Sequence, residues 1–228
     1  MTSATLYVTA SADDADEENG EVNAATAALS VTSGFNAALL FRTVPVPPGA
    51  TVSTAQLRMV PFSAFFNIPN LSLRGEINPT DWEEGTDYDL TNRTKTSEGV
   101  IWNDTDVYAG TGVYVSSPNI AAVIQEIIDY TEWAENDDIG LFLLDRELGG
   151  QFAFYAYDFG PNTYPSALFL EWTVPVVTGE LDYGWPGDYW PDEYFAEYWP
   201  DYGTATPGTS MGPIAFMHLQ RMHRRSSL

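Results

Sequence analysis

The sequence predicts an all-β fold: a jelly-roll-like β-sandwich with one short amphipathic helix, followed by an extended aromatic tail. Two observations predict the sandwich. β-Branched and aromatic residues recur in short alternating runs, and Gly, Pro, Asn and Asp separate these runs. A third observation predicts the tail, because the composition changes abruptly after Pro175. We therefore expect a sandwich domain at residues 1–175, an acidic aromatic strap at 176–203 and a cationic peptide at 204–228.

Short alternating runs predict the strands of the sandwich. They lie at residues 6–10, 37–44, 55–61, 71–77, 113–115, 139–144, 152–157 and 167–174. Pro45, Pro47 and Pro48 with Gly49 predict a loop between the second and third runs, because proline has no backbone N–H to donate to a sheet.

One segment departs from this pattern and predicts a helix at about residues 118–131. Its apolar residues follow the helical spacing i, i+3, i+4, i+7 and i+8. They are Ile120, Val123, Ile124, Ile127 and Ile128. Ser117 is the predicted N-cap and Pro118 the predicted first helical residue. We expect the apolar stripe to lie against the sandwich, where the helix has a structural role.

The segment from Leu181 to Gly203 contains a short repeat of Trp-Pro pairs with acidic neighbours. Its rings recur every four or five residues, a spacing that fits neither a helix face nor a regular strand. Its prolines favour extended or turn conformations. The last segment reverses the charge, since it carries Arg221, Arg224 and Arg225. The chain is therefore predicted to end in a small cationic peptide.

The chain contains 32 acidic and 9 basic residues, which gives a net charge of −23. A field of this sign repels nucleic acid and anionic membranes, so we expect neither as a partner. No apolar run approaches the length of a membrane span, and the first residues lack the features of a secretory signal. There is no cysteine, which excludes disulfides and thiolate metal sites. We expect a protein of a virion or of an extracellular assembly.

Several stretches of the first 175 residues occur in a recognisable order. They are Ala10–Asp14, Leu40–Arg42, Val46–Leu57, Leu73–Glu76, Val100–Trp102, Ser117–Ile120 and Val123–Ile128. In this order they resemble the DNRLRE or carbohydrate-binding-module-96-type domain, a jelly-roll-like sandwich of phage and bacterial surface proteins. The resemblance covers most of residues 4–174, and its most specific stretch runs from Pro48 to Ala55. It implies a display, adhesion or glycan-contact role and brings no catalytic motif.

The sequence contains little that predicts catalysis. Nucleophilic triads and histidine metal sites need an imidazole at the reacting atom, and both histidines lie in the terminal peptide. Five neighbouring acids leave a glycosidase-type carboxylate pair open: Glu76, Asp81, Glu83, Glu84 and Asp87. Nothing in their spacing singles out an acid and a nucleophile. We expect a protein that is not an enzyme, and a polysaccharide hydrolase is the third hypothesis.

An acidic segment before Asn19 and Gly20 concentrates hard oxygen ligands at Asp13, Asp14, Asp16, Glu17 and Glu18. Calcium prefers such ligands, so a structural Ca²⁺ held by Asp13, Asp14, Asp16 and Glu18 is one interpretation. The other is a solvated acidic loop, because the ligand spacing of an EF-hand is absent. Residues 103–106 form a second, weaker candidate loop. We expect no other cofactor.

Three tryptophans of the sandwich are candidates for sugar contacts, because pyranose C–H faces stack on aromatic rings. Trp102 and Trp133 are expected in the core. Trp82, which lies between Pro79 and Glu83, is the ring expected to be exposed. It is therefore the candidate glycan-binding residue.

The rings of the tail form too large an apolar surface to remain in water, so we expect them to bind something. The candidate anchors are Trp185, Trp190, Tyr194, Phe195 and Trp199, with Arg221, Arg224 and Arg225 expected on an acidic surface. They pack either on their own sandwich or on a partner, which is another copy of the chain or a capsid or filament protein. We favour the partner and a phage capsid decoration or fibre-type protein. The alternative is an adhesin that binds a cell-surface polysaccharide.

Overall fold

The computed structural model describes residues 1–62, 67–68, 70–77, 79–83, 86, 88–103, 112–148, 151–159 and 163–175. The chain divides into two units, Met1–Val176 and Val177–Leu228. The described residues belong to the first unit. The predicted tail segments 176–203 and 204–228 lie outside the described residues.

Thirteen strands and two short helices are present in the described residues. The strands are β1 (Thr2–Tyr7), β2 (Asp14–Glu18), β3 (Glu21–Asn23), β4 (Ala28–Val31), β5 (Phe35–Phe41), β6 (Thr51–Met59), β7 (Asn67–Ile68), β8 (Asn70–Gly75), β9 (Val100–Asn103), β10 (Val115–Ser116), β11 (Ile139–Asp145), β12 (Gln151–Tyr155) and β13 (Ala167–Thr173). The helices are α1 (Asp89–Asn92) and α2 (Ala121–Ile128), and a 3₁₀ turn at Ser11–Asp13 precedes β2.

The strands form three antiparallel sheets, which confirms the predicted all-β sandwich. The first sheet has the order β1-β13-β6-β10, the second β3-β2-β5-β11-β8-β9 and the third β4-β12-β7. Strands that follow one another along the chain repeatedly change sheet. Thus β11 lies in the second sheet, β12 in the third and β13 in the first. Crossing between layers in this way is typical of jelly-roll-like folds.

The main hydrophobic core lies between the sheets, and α2 packs on β6 of the first sheet and β8 of the second. β6 alternates buried and more exposed residues, as a strand does when one face covers a core. β5 and β11, in the middle of the second sheet, are buried on both faces over most of their length. Their outer residues Ala38, Leu40 and Phe142 join a second apolar cluster with Trp82 and Leu90. The second sheet is therefore covered on both sides.

The predicted helix is confirmed, but it is shorter than expected and begins at Ala121. Its predicted stripe is buried from Ile120 to Ile128. The predicted cap at Ser117 is wrong, because its Oγ accepts the Leu57 N–H at 3.0 Å and so belongs to the pairing with β6. Asn119 takes the capping role instead: its Oδ1 accepts the Ala121 N–H at 3.0 Å.

Each of the eight predicted strand positions overlaps an observed strand, whereas β2, β3, β4, β7 and β9 were not predicted. The interpretation of residues 14–18 as an acidic loop is wrong, since they form β2 and pair with β3 and β5. Tertiary pairing overrides the low strand propensity of Asp and Glu here. Asn19 and Gly20, with φ of 49° and 97°, form the tight turn that joins β2 to β3.

Candidate functional site

The predicted anchors of the tail all lie outside the described residues. They are Trp185, Trp190, Tyr194, Phe195, Trp199, Arg221, Arg224 and Arg225. The candidate functional sites described below belong to the sandwich.

The predicted exposure of Trp82 is wrong, because the side chain is only 8% exposed. Its ring packs edge-on against Phe142, with the ring centroids 5.9 Å apart, and the Arg93 guanidinium lies 4.7 Å from its centroid. Covered in this way, the ring cannot present a face to a sugar. Trp102 and Trp133 are buried as predicted, and the Trp133 Nε1–H donates to the Val46 carbonyl at 3.0 Å.

Arg93 is a buried cation that ties together the segment following β8. Its Nη1 lies 3.1 Å from Glu76 Oε1 and donates to the Thr80 carbonyl at 2.9 Å. Its Nη2 donates to Asp89 Oδ2 at 2.8 Å and to the Asp81 carbonyl at 2.6 Å. The two carboxylates therefore neutralise the charge of one planar guanidinium, and the two carbonyl oxygens accept hydrogen bonds from it. Arginine can serve several acceptors in this way because its N–H donors form a rigid fork, which lysine lacks.

Glu76 was one of the candidate catalytic acids, and it is only 4% exposed. Burial raises its pKa to about 7, although the charge of Arg93 opposes this effect. Asp81, a second candidate, accepts from Arg42 Nη2 at 2.6 Å. Glu84 and Asp87 lie outside the described residues. Glu83, a third candidate, accepts from the Thr86 hydroxyl at 3.2 Å. Of the described candidates, Glu76 and Asp81 are thus partners of arginines, not a facing acid and nucleophile.

The acidic segment is not one ligand cluster, because its side chains have separate partners. Asp13 accepts from Arg42 Nε at 2.8 Å and from Thr9 Oγ1 at 3.0 Å. Glu17 accepts from the backbone N–H and the hydroxyl of Thr91. Glu18 is exposed at the β2–β3 turn.

Asp13 is the acid of this segment that has an arginine partner among the described residues, whereas Asp14 and Asp16 are buried and have none. Burial raises the pKa of Asp14 to about 7 and that of Asp16 to about 6. The Tyr157 N–H donates to Asp14 Oδ2 at 2.8 Å, and the Ser30 N–H likewise opposes the shift at Asp16. Within the described ranges, no three His, Asp or Glu side chains are placed together to hold a metal.

Two depressions beside α2 share Tyr130, and we call them together the Tyr130 groove. The first has a volume of about 410 Å³. It is lined by Pro79, Thr80, Ile127, Tyr130, Trp133, Asn136, Asp137 and Asp138. The second, of about 640 Å³, is lined by Ile77, Ser97, Glu98, Ala122, Gln125, Glu126, Asp129 and Tyr130. Tyr130 is 38% exposed and lines both depressions.

Five carboxylate residues line the Tyr130 groove: Glu98, Glu126, Asp129, Asp137 and Asp138. Asp137 is exposed and accepts the Ala134 N–H at 2.7 Å, which sets its orientation. Glu126 is held by the N–H groups of Ser97 and Glu98, at 2.8 and 2.7 Å. An aromatic ring in such a site can stack on the face of a sugar, and the neighbouring carboxylates can accept hydrogen bonds from the sugar hydroxyls. The same carboxylates repel a sugar that carries a negative charge.

Sequence reasoning did not identify Tyr130, Asp137 or Asp138. The available signal was the polar segment between the helix and the next strand, since loops that join rigid elements commonly carry binding residues. What brings Thr80 and Asp138 to the same depression is the pairing of β8 with β11, which the sequence pattern does not specify.

No helix of the described residues has the length and apolar character needed to cross a membrane. Comparison with known proteins identifies no matching family model and no matching curated protein.

Proposed function

We propose that the chain is a non-enzymatic structural protein of a virion or extracellular assembly, of the phage capsid decoration or fibre type. In this proposal the sandwich is the displayed part and the aromatic tail attaches it to other copies or to a capsid or filament protein. The resemblance of residues 4–174 to display and adhesion domains agrees with this role.

The observation that carries the proposal is the contrast between the sandwich and the tail sequence. The described core draws its buried side chains from Val8 to Trp172, so the sandwich has a large core of its own. The tail then adds five aromatic anchors within fifteen residues, from Trp185 to Trp199. Aromatic clusters of this density are characteristic of binding hot spots.

Sedimentation velocity of the full chain tests this proposal. We expect assemblies larger than the 25.2 kDa monomer, and we expect the triple variant Trp185→Ser, Trp190→Ser, Trp199→Ser to sediment as a monomer. Tyr7→Ser is the control, because Tyr7 is an aromatic residue of the sandwich that is 50% exposed. A triple variant that still assembles contradicts attachment through the tail, and a wild-type chain that is monomeric at all concentrations contradicts attachment to other copies.

A second candidate function, binding of a cell-surface polysaccharide, is favoured by the Tyr130 groove. The proposed ligand is a neutral or amino sugar, since Glu98, Glu126, Asp129 and Asp137 would repel uronic or sulfated sugars. The proposed contact is stacking on Tyr130, which replaces the buried Trp82 in this role.

A glycan array with wild type, Tyr130→Ala and Tyr7→Ala tests the second candidate. We expect binding to neutral or amino glycans that Tyr130→Ala reduces roughly 5- to 150-fold and Tyr7→Ala leaves unchanged, because stacking of one nucleobase on an aromatic ring, taken here as the measure for a sugar ring, contributes about 1–3 kcal/mol. Absence of binding, equal binding by both variants or a preference for anionic glycans contradicts it.

A further inference from the structure

Oxygen atoms from three parts of the chain converge beside the start of β2. Ser11 Oγ, in the 3₁₀ turn before this strand, lies 2.6 Å from Asp158 Oδ2 and 3.2 Å from the Ala24 carbonyl oxygen. Asp14 is joined to the same region by the Tyr157 N–H, which donates to its Oδ2 at 2.8 Å. The Asp158 carboxylate and the Ala24 carbonyl oxygen therefore meet at one hydroxyl, and the Asp14 carboxylate is hydrogen-bonded to the residue before Asp158 and interacts electrostatically with Asp158.

Asp14 is the unusual member of this cluster. It is only 1% exposed, and its Oδ1 has no hydrogen-bond partner among the described residues. A buried carboxylate oxygen without a partner is costly, because it has left water and gained nothing in exchange. A bound group from outside the described side chains would give Asp14 Oδ1 the partner that it lacks.

The neighbouring acid shows what a satisfied carboxylate looks like at this place in the fold. Asp13 has Arg42 on one oxygen and the Thr9 hydroxyl on the other. Asp14 is the first residue of β2 and shares one face of that strand with Asp16, whereas Ala15 and Glu17 lie on the other face. The Asp14 face therefore has negative charge and oxygen atoms but no arginine or lysine bonded to it among the described residues.

We propose that Asp14 Oδ1, the Asp158 carboxylate and the Ala24 carbonyl oxygen bind a hard divalent cation, with calcium preferred. Calcium accepts carboxylate, carbonyl and water oxygens in an irregular shell of six to eight ligands, so two carboxylates can suffice when water completes the shell. Magnesium needs a nearly ideal octahedron and suits this mixed set less well.

The proposed site differs from the one that the sequence predicted. Of Asp13, Asp14, Asp16 and Glu18 it retains only Asp14, and it adds Asp158, which lies 144 positions further along the chain. With only two carboxylates, we expect a dissociation constant of roughly 10⁻⁴–10⁻³ M, the range of extracellular calcium modules.

Thermal unfolding of the full chain in EDTA, in 5 mM CaCl₂ and in 5 mM MgCl₂ at matched ionic strength tests the proposal. We expect calcium to raise Tm by about 2–9 °C relative to EDTA, and magnesium to raise it much less. Asp14→Asn and Asp158→Asn should each abolish the calcium response. In EDTA, Asp14→Asn should melt no lower than wild type, because it removes a buried charge.

Glu18→Gln is the matched control, since it removes the same charge from the acidic segment but lies outside the proposed site. It should keep the full calcium response. Equal shifts with calcium and magnesium, a response that survives Asp14→Asn and Asp158→Asn, or a response lost in Glu18→Gln would overturn the proposal. Because Asp158 is exposed, its variant tests the site even if Asp14→Asn fails to fold.

Discussion

Arg93 and Glu76 show how single charged residues stabilise the outer layer of this sandwich. The Arg93 side chain is 8% exposed, and its guanidinium contacts Glu76, Asp89 and the ring of Trp82. These contacts hold the segment after β8 over the second sheet. A buried ion pair recovers its desolvation cost only when its geometry is good and further hydrogen bonds are made. The several partners of Arg93 meet this condition.

Glu76 is predicted to make stability depend on pH. Burial raises its folded-state pKa to about 7, while the unfolded chain releases the proton near the ordinary value of 4.5. The folded state therefore binds the extra proton between these values, and stability falls as pH rises from about 4.5 to 7. Arg93 and Lys95 oppose the shift and Asp89 adds to it.

Urea unfolding of wild type and Glu76→Gln between pH 4.5 and 7.5 measures this contribution. Across that window we expect the difference in unfolding free energy between the two proteins to change by roughly 3 kcal/mol, in favour of the variant at high pH. The other acids titrate in both proteins, so their contribution cancels when the unfolding free energy of one protein is subtracted from that of the other. Two parallel pH profiles would show that Glu76 does not titrate as described.

At the scale of elements, the contact between α2 and the second sheet depends on Gly75 at the end of β8. A Cβ added there would lie 2.5 Å from Ile127 Cδ1 and 3.1 Å from Thr96 Cγ2. Ile127 is 2% exposed, so its side chain has little room to move. The helix therefore lies on the strand at a place where only a hydrogen atom fits.

We expect Gly75→Ala to destabilise the protein by about 1–3 kcal/mol, the usual cost of overpacking a core. Gly99→Ala is the control, because the atoms nearest to its Cβ would belong to the Arg74 side chain, at 3.3 Å and beyond. That variant should change stability by less than about 0.5 kcal/mol. Equal effects of the two substitutions in urea unfolding would contradict this account of the helix contact.

At the scale of the whole molecule, the sandwich is predicted to fold without the tail. The described core from Val8 to Trp172 is large, and its last strand, β13, pairs with both β1 and β6. A fragment of residues 1–175 should therefore unfold in one cooperative transition, with Tm within about 2 °C of the full chain under monomeric conditions. A much lower Tm would mean that the tail stabilises its own sandwich and would favour that role over attachment to a partner.

Much of the fold was predictable because it rests on local periodicity. Alternation identified the strands that cover the main core, and the spacing of Ile120 to Ile128 identified α2. The strands that were not predicted have sequences without that signal. β2, for example, reads Asp-Ala-Asp-Glu-Glu and is a strand because β3 and β5 pair with its backbone on either side.

The sequence by itself determined the fold class, the position of the helix, the burial of Trp102 and Trp133 and the change of composition after Pro175. Only the tertiary structure decided that Trp82 is covered by Arg93, that Asp13 and Asp14 have different partners, and that Tyr130 lies between two acidic depressions. The physical reason is distance along the chain. Periodicity reports which face of an element is apolar, whereas these contacts join residues brought together by the pairing of strands, and a local pattern contains no record of that pairing.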